Sequence, residues 1–157
     1  MKKKIIPLAK AQFLAQTLKK QRKKIVFTNG TFDILHLGHV TYLEKAKTCG
    51  DVLIIGLNTD RSVKSYKHPD RPVNPEKDRA RLLAALECVD YVILFDEPTP
   101  LKLILQIKPD VLVKGADWKK SEIAGARETE SWGGTVKRLS LVDGRSTTQL
   151  IEKIKKL

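Results

Sequence analysis

The sequence predicts an α/β fold, built as a doubly wound parallel sheet of about five strands with helices on both faces. Short apolar runs alternate along the chain with longer amphipathic segments, which is the pattern of parallel strands joined by crossover helices. The run at 51–58 (DVLIIGLN) is continuously apolar, as expected for a central strand that is covered on both faces. Together these two observations predict a Rossmann-like architecture.

Each predicted element has a local signal in the sequence. Apolar residues at helical spacing predict the first helix, Pro75 favours the first turn of another, and Pro109 ends a third. The polar stretch 62–73, with two prolines, is predicted to be a loop. The predicted strands are 25–28, 51–58, 90–95, 110–113 and 135–139, and the predicted helices are 8–19, 40–48, 75–88, 98–107, 121–131 and 149–156.

Length and composition indicate one globular domain. The 157 residues suit a single core, which we divide into a basic first helix at 1–23 and a catalytic core at 24–157. No apolar run approaches the ~20 residues that span a bilayer, and the apolar part of the N-terminus is interrupted by polar residues. We therefore expect a soluble cytoplasmic protein with no membrane partner.

The net charge of +12 raises the alternative of a nucleic-acid-binding domain. The charge is uneven, because the first 24 residues hold eight lysines, one arginine and no acidic residue. A basic first helix is usually a solvated face, and few aromatic residues lie among the basic ones. We therefore expect no nucleic-acid partner.

Polar residues follow four of the predicted strands. They are the runs 30–39, 58–60, 114–118 and 145–148. Parallel sheets bind their ligands at the carboxyl ends of the strands, so these four runs are expected to meet in one site.

The run 28–39 (TNGTFDILHLGH) is the most informative stretch, with a short strand before it and a helix after it. Neither GxxxxGK[ST] nor GxGxxG occurs, so a Walker-type phosphate loop and a dinucleotide fingerprint are both excluded. His36 and His39 lie three residues apart at the helix start, where imidazolium and backbone N–H donors favour an anion. The alternatives are a zinc site with Asp33 as a third ligand, or two histidines with no function.

A second anion site is predicted at Ser146, Thr147 and Thr148, which precede the last helix. The alternative is an ordinary helix cap with spare hydroxyl groups. Lys114, at the end of a buried strand, either neutralises a phosphate or is an exposed loop lysine. Trp118 is either a wall of the nucleotide pocket or an aromatic residue at the edge of the core.

The run GTFDILHLGH at 30–39 resembles the signature of the cytidylyltransferase-like nucleotidyltransferases, which carry an HxGH motif and a late Ser/Thr-rich motif. The resemblance runs from about residue 24 to the C-terminus. Within this family, further stretches are similar to the adenylyltransferase domain of the bacterial ADP-heptose synthesis enzyme. These stretches are 56–60, 71–79, 88–92, 109–118 and 144–148.

The resemblance implies transfer of AMP from ATP to D-glycero-β-D-manno-heptose 1-phosphate, giving ADP-heptose and pyrophosphate for the lipopolysaccharide inner core. It implies an HxGH-type fold, ATP and this sugar 1-phosphate as small-molecule substrates, and Mg²⁺ bound mainly through phosphates and water. We expect no metal site made by protein side chains alone. We expect this chain to be the stand-alone form of the domain, with a separate heptose kinase as its pathway partner. The assembly stays open between a monomer and a homodimer.

The resemblance also implies roles for individual residues. We expect His36, His39 and Lys114 to be catalytic, stabilising charge on the phosphates. The residues expected to bind the nucleotide are Gly30, Thr31, Phe32, Gly38, Asn58, Arg79, Gly115, Ser146, Thr147 and Thr148. For Arg79, a salt bridge is the alternative. The residues expected to bind the acceptor are Asp33, Asp60, Lys64, Asp117, Trp118 and Arg145.

One position departs from the related glycerol-3-phosphate cytidylyltransferases. They carry an arginine ahead of the Ser/Thr motif, whereas Leu141 occupies that place here. This disfavours CTP with glycerol-3-phosphate, which remains the main alternative beside ethanolamine phosphate with CTP and FMN with ATP. A fragment of a class I aminoacyl-tRNA synthetase is disfavoured, because 62–67 (SVKSYK) does not match a KMSKS-like loop.

Overall fold

The computed structural model describes residues 3–142 and 144–157. Within them, five strands form one sheet in the order β3-β2-β1-β4-β5, and all neighbouring strands are parallel. The predicted doubly wound parallel sheet is therefore confirmed. The strands are β1 (Ile25–Gly30), β2 (Val52–Asn58), β3 (Tyr91–Phe95), β4 (Val111–Gly115) and β5 (Thr135–Leu139).

Helices cover both faces of the sheet because successive strand residues point to opposite sides. Ile25 and Phe27 of β1 pack with the first and fifth helices, whereas Val26 packs with the second and fourth. The helices are α1 (Ala11–Lys20), α2 (Leu37–Lys47), α3 (Asp60–Tyr66), α4 (Glu76–Ala85), α5 (Leu101–Ile107), α6 (Ala126–Ser131) and α7 (Thr147–Lys155).

The basic N-terminal segment is packed onto the sheet. Ala11, Ala15 and Leu18 of α1 are buried in the core, so its charged residues lie on the other face of the helix. Ile5 forms a parallel bridge with Val92 of β3. No helix among the described residues is long and apolar enough to cross a membrane.

The order of the strands reverses at β1. The chain moves from β1 to β2 and β3 on one side, and then returns to β4 and β5 on the other side. Between β1 and β4 only two residue pairs are in register, Val26 with Val111 and Phe27 with Leu112. The two strands therefore separate toward their carboxyl ends, and this switch point is where ligands of such sheets bind.

Two predictions of local structure were wrong. The segment 62–73 was predicted as a loop, but its first part belongs to α3, because Thr59 caps this helix by accepting a hydrogen bond from Ser62 N. The helix predicted at 121–131 is broken into a 3₁₀ turn, Lys120–Glu122, and α6. Gly125 separates them with a φ of +81°, a left-handed conformation that glycine adopts at no steric cost.

Candidate active site

A cavity of about 670 Å³ opens at the switch point between β1 and β4. Polar residues from the ends of β1, β2 and β4 and from the start of α7 line it, so the predicted convergence of four runs is present in the structure. The predicted site residues that line it are Gly30, Thr31, Phe32, Asp33, His36, Gly38, His39, Asn58, Lys114, Gly115, Asp117, Trp118, Arg145, Ser146, Thr147 and Thr148.

The two histidines lie at the N-terminus of α2. His36 is the N-cap residue in an extended conformation, and its carbonyl accepts the backbone N–H of His39 at 2.9 Å. The two imidazole rings are stacked, with centroids 3.8 Å apart and an interplanar angle of 23°. Both rings border the cavity, together with the helix end whose unsatisfied N–H groups favour an anion.

The surroundings of both rings shift their pKa values toward the neutral form, which disfavours the imidazolium groups expected from the sequence. Burial, and then repulsion from His36, lowers the pKa of His39 to about 4. Burial and the nearby Arg145 also lower the pKa of His36. A neutral imidazole still carries one N–H donor, so each ring can donate a hydrogen bond to a phosphate without being charged beforehand.

The start of α7 lies against the start of α2. A Cβ atom added to Gly38 would lie 3.0 Å from the His36 ring and 3.1 Å from Arg145 Cβ, so a side chain here would have to push these neighbours apart. Ser146 is the N-cap of α7, and its Oγ accepts the backbone N–H of Gln149 at 3.2 Å. Ser146 therefore caps the helix, and the first turn of α7 faces the same cavity as the first turn of α2.

Lys114 lies at the end of β4, not in the loop that follows it. Its ammonium donates to the carbonyl of Asn29 at 3.2 Å, across the gap between β1 and β4, and lies 5.2 Å from the centroid of the Trp118 ring. Burial lowers the pKa of Lys114 to about 8, against the attraction of Asp117. A desolvated cation with few partners at the switch point is suited to bind a phosphate.

Several predicted residues form the wall of the cavity. Trp118 is 44% exposed and lines the cavity, so it is not part of the core. A Cβ atom on Gly115 would overlap the carboxylate of Asp117, and it would lie 3.2 Å from Leu141. Asn58 is buried and its amide donates to Ser62 Oγ at 3.0 Å.

Asp33 lines the cavity, but both its carboxylate oxygens are used within the protein. Oδ1 accepts the backbone N–H groups of Val73 and Asn74 at 2.8 and 3.0 Å, and Oδ2 accepts Arg71 Nη1 at 3.0 Å. Burial raises the pKa of Asp33, but these donors outweigh it and hold the pKa below its usual value. The structure thus assigns Asp33 to anchoring the loop before α4.

The structure does not bring Arg79, Asp60 or Lys64 to the cavity. Arg79 has no exposed surface, and Asp60 Oδ1 accepts its Nη2 at 2.6 Å, which is the salt bridge that the sequence left as an alternative. Lys64 is exposed on α3 and lies outside the cavity lining. The directions of Asp60 and Lys64 depend on α3, a helix that the sequence did not predict. The burial of Arg79 on α4 depends on its bonds to residues that lie far away in the sequence, such as Thr31 and Asn58.

Tyr66 and the loop after β3 also line the cavity and had no predicted role, whereas Lys67 was expected, with Lys64 and Arg71, on a segment that could close over the acceptor phosphate. Tyr66, at the end of α3, lines the cavity, and the Tyr66 hydroxyl lies 2.7 Å from Thr31 Oγ1. Lys67 follows at the rim; burial lowers its pKa, against the attraction of Asp33. The loop after β3 is the one loop at the carboxyl end of a strand for which the sequence predicted no role. Pro98, Thr99 and Pro100 of this loop line the cavity.

Among residues 3–142 and 144–157, no group of three or more histidine, cysteine, aspartate or glutamate side chains is arranged to hold a metal ion. The zinc alternative for His36 and His39 therefore has no ligand set there. Asp33, its required third ligand, is held by Arg71 and two backbone N–H groups.

Two helix N-termini, a histidine pair and a lysine around one switch-point cavity define a site for a nucleoside triphosphate or a similar anion. A family model described as cytidylyltransferase-like matches residues 27–153. The chain belongs to this family, which is one of nucleotidyltransferases, and the resemblance inferred from the HxGH motif is confirmed.

Two curated proteins are similar to most of this chain. The bifunctional protein HldE of Methylobacillus flagellatus is 57% identical over 139 residues, which are 88% of this chain and 28% of that protein. HldE of Geobacter metallireducens is 57% identical over 136 residues, covering 87% of this chain and 28% of that protein. The chain thus spans about 28% of the length of these relatives.

Solved structures agree with the fold. A lipopolysaccharide core biosynthesis protein from Thermoplasma volcanium is 33% identical with a TM-score of 0.66, and the match covers 77% of this chain and 99% of that one. A pantoate-beta-alanine ligase from Francisella tularensis is 18% identical with a TM-score of 0.61, covering 98% of this chain and 78% of that one. At this identity the ligase shares only the fold.

Proposed function

We propose that this protein transfers AMP from ATP to D-glycero-β-D-manno-heptose 1-phosphate, giving ADP-heptose and pyrophosphate. The observation that carries the proposal is that the N-termini of α2 and α7 face one cavity, which His36, His39 and Lys114 also line. Helix N-termini and fixed N–H donors are suited to a triphosphate. The likeness to HldE proteins and to a lipopolysaccharide core biosynthesis protein supports the acceptor.

The proposed reaction is an in-line displacement at phosphorus. An oxygen of the sugar phosphate forms a bond to the α-phosphorus of ATP while the bond from this phosphorus to the bridging oxygen breaks. The electron pair leaves with pyrophosphate, so no covalent enzyme intermediate and no oxidant is needed. The protein contributes positioning and charge stabilisation.

The triphosphate is proposed to lie between the two helix starts. His36 and His39 donate neutral N–H groups to the α- and β-phosphates, and binding of the anion then raises their pKa values. Thr147, Thr148 and the backbone N–H groups of α7 hold the β/γ end. Lys114, whose charge is poorly solvated, gains most from a phosphate oxygen nearby.

Magnesium is proposed to enter with ATP. The described residues offer no cluster of three metal-binding side chains, so the donor set of the protein does not fit a bound ion by itself. Magnesium keeps several water molecules and takes phosphate oxygens readily. The positive charge that the protein supplies to the phosphates comes from Lys114 and Arg145, which line the cavity.

The acceptor is proposed to approach from the side of α3. Lys67 is the cation of the 62–73 segment that lines the cavity, whereas Lys64 lies outside it and Arg71 is paired with Asp33. Lys67 is therefore assigned to the phosphate of the acceptor, in place of Lys64. Asp117 and Trp118 remain proposed acceptor contacts because they line the cavity with exposed side chains.

The proposal extends to the setting of the reaction. Phosphorylation of the anomeric hydroxyl by a kinase is one way to make a sugar 1-phosphate, and a separate heptose kinase is the proposed pathway partner. The reaction uses ATP, which is consistent with a cytoplasmic location. A homodimer remains a proposal for the assembly, to be measured by light scattering.

A panel of nucleotides and acceptors tests the proposal. ATP and CTP are each combined with the heptose 1-phosphate, glycerol-3-phosphate, ethanolamine phosphate and FMN, and pyrophosphate release is measured. We expect turnover with ATP and the heptose 1-phosphate to exceed every other pair by at least about 10²-fold. Faster turnover with CTP and glycerol-3-phosphate would replace this proposal with the alternative, and no pyrophosphate from any pair would refute both.

A further inference from the structure

Arg79 uses its guanidinium to join three segments around the cavity. Nη1 donates to the carbonyls of Thr31, after β1, and Asn58, at the end of β2, at 2.7 and 2.9 Å. Nη2 donates to Asp60, and Nε donates to the carbonyl of Asn74 at 2.9 Å. A fully buried arginine with four such bonds is committed to the protein and is not available to a ligand.

Asn74 extends this network to Asp33, the residue that follows Phe32 in the turn between β1 and α2. Its side-chain amide donates to the backbone carbonyl of Asp33 at 2.9 Å, and its backbone N–H donates to the carboxylate of Asp33 at 3.0 Å. Arg79 therefore holds the carbonyl of Thr31, and Asn74 holds that of Asp33. These are the two residues on either side of Phe32.

Phe32 is the residue that needs such support. Its φ is +46°, a left-handed conformation that is uncommon and unfavourable for a bulky residue. The Phe32 ring meets the His39 ring edge-on, with centroids 5.3 Å apart, and a Cβ atom on Gly30 would lie 3.0 Å from it. The position of Phe32 therefore determines the packing around His39.

We infer that Arg79 and Asn74 are positioning residues, which clamp Phe32 in its left-handed conformation and so hold His39 in the geometry used for nucleotidyl transfer. The inference rests on the proposed function for its kinetic part. Neither residue touches the cavity contents in this role. Arg79 acts through the carbonyl of Thr31, in the peptide before Phe32, and Asn74 acts through Asp33, the residue after it.

Two variants weaken the clamp without emptying the core. Arg79→Lys keeps the charge opposite Asp60 but cannot reproduce the four hydrogen bonds of the guanidinium, because an ammonium group has three donors on one nitrogen. Asn74→Ala removes the amide donor to Asp33 and keeps the backbone contacts of residue 74. Arg81→Lys is the matched control, because Arg81 lies exposed on the same helix, α4.

The first measurement is the titration of His39 by NMR in the free protein. In the native protein its resonance should stay constant between about pH 5.5 and 8, because burial holds its pKa near 4. In both clamp variants we expect it to titrate within this range, because a loosened Phe32 ring exposes the imidazole. Thermal unfolding by circular dichroism confirms that the variants are folded at the assay temperature.

The second measurement is kinetic. We expect kcat to fall about 10²-fold in Arg79→Lys and about tenfold in Asn74→Ala, with KM for ATP changed less than about threefold, because small displacements of a catalytic group have large effects on rate. In a Phe32→Leu background, Asn74→Ala should have little further effect on kcat, since both act on the same ring.

Two results would overturn the inference. One is a folded Asn74→Ala variant whose His39 resonance and kcat match those of the native protein and of Arg81→Lys. The other is that Asn74→Ala lowers kcat in the Phe32→Leu background by the same factor of about ten as in the native background. If Arg79→Lys does not fold, Asn74→Ala alone decides. The NMR titration needs no substrate, so it still tests the position of His39 if the proposed reaction is refuted.

Discussion

At the amino end of the sheet, three aspartates each accept a backbone N–H group at the start of a neighbouring strand, whereas the carboxyl end gathers unpartnered polar groups around its cavity. Asp51 accepts Lys24 N, Asp90 accepts Leu53 N and Asp110 accepts Ile25 N, each at 2.7 Å. A carboxylate that accepts a backbone N–H makes a strong, charge-assisted hydrogen bond. This end of the sheet is therefore closed by its own side chains.

The carboxyl end has the opposite character. Among the described residues, Asn29 Oδ1, His36 Nδ1 and His39 Nδ1 are buried there without a hydrogen-bond partner, and all three residues line the cavity. Gln106 Oε1 and Thr129 Oγ1 are also unpartnered within the described part of the chain, but they lie outside the cavity. Lys114 and His39 have lowered pKa values because they are poorly solvated. Unsatisfied polar groups destabilise a fold by themselves, and a ligand can satisfy them. The comparison teaches that one end of the same sheet stabilises the protein and the other is prepared for a ligand.

The largest expected effect comes from the carboxyl end. His36→Ala and His39→Ala should each lower kcat by about 10²–10³-fold, since each removes a preorganised donor, while the melting temperature does not fall. Pyrophosphate release and thermal unfolding measure the two quantities. His68→Ala is the control, because this third histidine is exposed, lies near Asp70 and is outside the cavity lining. A double His36→Ala and His39→Ala variant with near-normal turnover would disprove the assignment.

Removal of a carboxylate from the amino end should have the reverse profile. Asp90→Ala loses the bonds to Leu53 N and to Lys47 Nζ, the latter at 2.5 Å. We expect the free energy of unfolding to fall by about 2 kcal/mol in urea denaturation, with kcat per folded molecule unchanged. Asp70→Ala, at an exposed aspartate, should change the free energy of unfolding by less than about 0.5 kcal/mol. A loss of kcat in folded Asp90→Ala would show that the two ends are coupled.

The cap of α7 should give a smaller effect. Ser146→Ala removes the acceptor of Gln149 N, which typically costs about 1 kcal/mol of helix stability. Because no residue of α7 is buried, little else holds its first turn in place, and we expect KM for ATP to rise about fivefold. Ser131→Ala, in α6 and outside the cavity lining, is the control. An unchanged KM would show that α7 does not hold the triphosphate.

The smallest effect is a dependence on pH. The pKa of Lys114 is lowered to about 8, so the amine is protonated below that pH and becomes neutral above it. Binding of the triphosphate needs the charged form, so kcat/KM for ATP should decrease as the pH rises through about 8. Lys114→Arg keeps its charge at this pH and should lack the decrease. If kcat/KM of Lys114→Arg decreases in the same way, the titration of another group causes the decrease.

Most of the fold could be predicted because its signals are local. A buried parallel strand needs a continuous apolar run, and β2 and β3 show one. The segment 62–73 was predicted wrongly because α3 depends on the Thr59 cap and on Asn58 and Glu97, which contact Ser62. Its composition alone is that of a loop.

The candidate site could be predicted in outline for a related reason. The carboxyl ends of parallel strands must meet at one edge, so the order of the motifs in the sequence is enough to place His36, Lys114 and Ser146 together. The individual roles of Asp33 and Arg79 could not be predicted. The sequence does not show whether a carboxylate or a guanidinium faces a ligand or a backbone group.

The sequence by itself determined the parallel sheet, the HxGH turn at its edge and the family of nucleotidyltransferases, because strand periodicity and a contiguous motif are properties of neighbouring residues. Only the tertiary structure decided the charge state of His39 and the burial of Arg79, and it showed that Asp33 is anchored and that Tyr66 and Lys67 reach the cavity. These depend on which segments come close in space. Desolvation and hydrogen bonding are then set by neighbours that lie far apart in the chain.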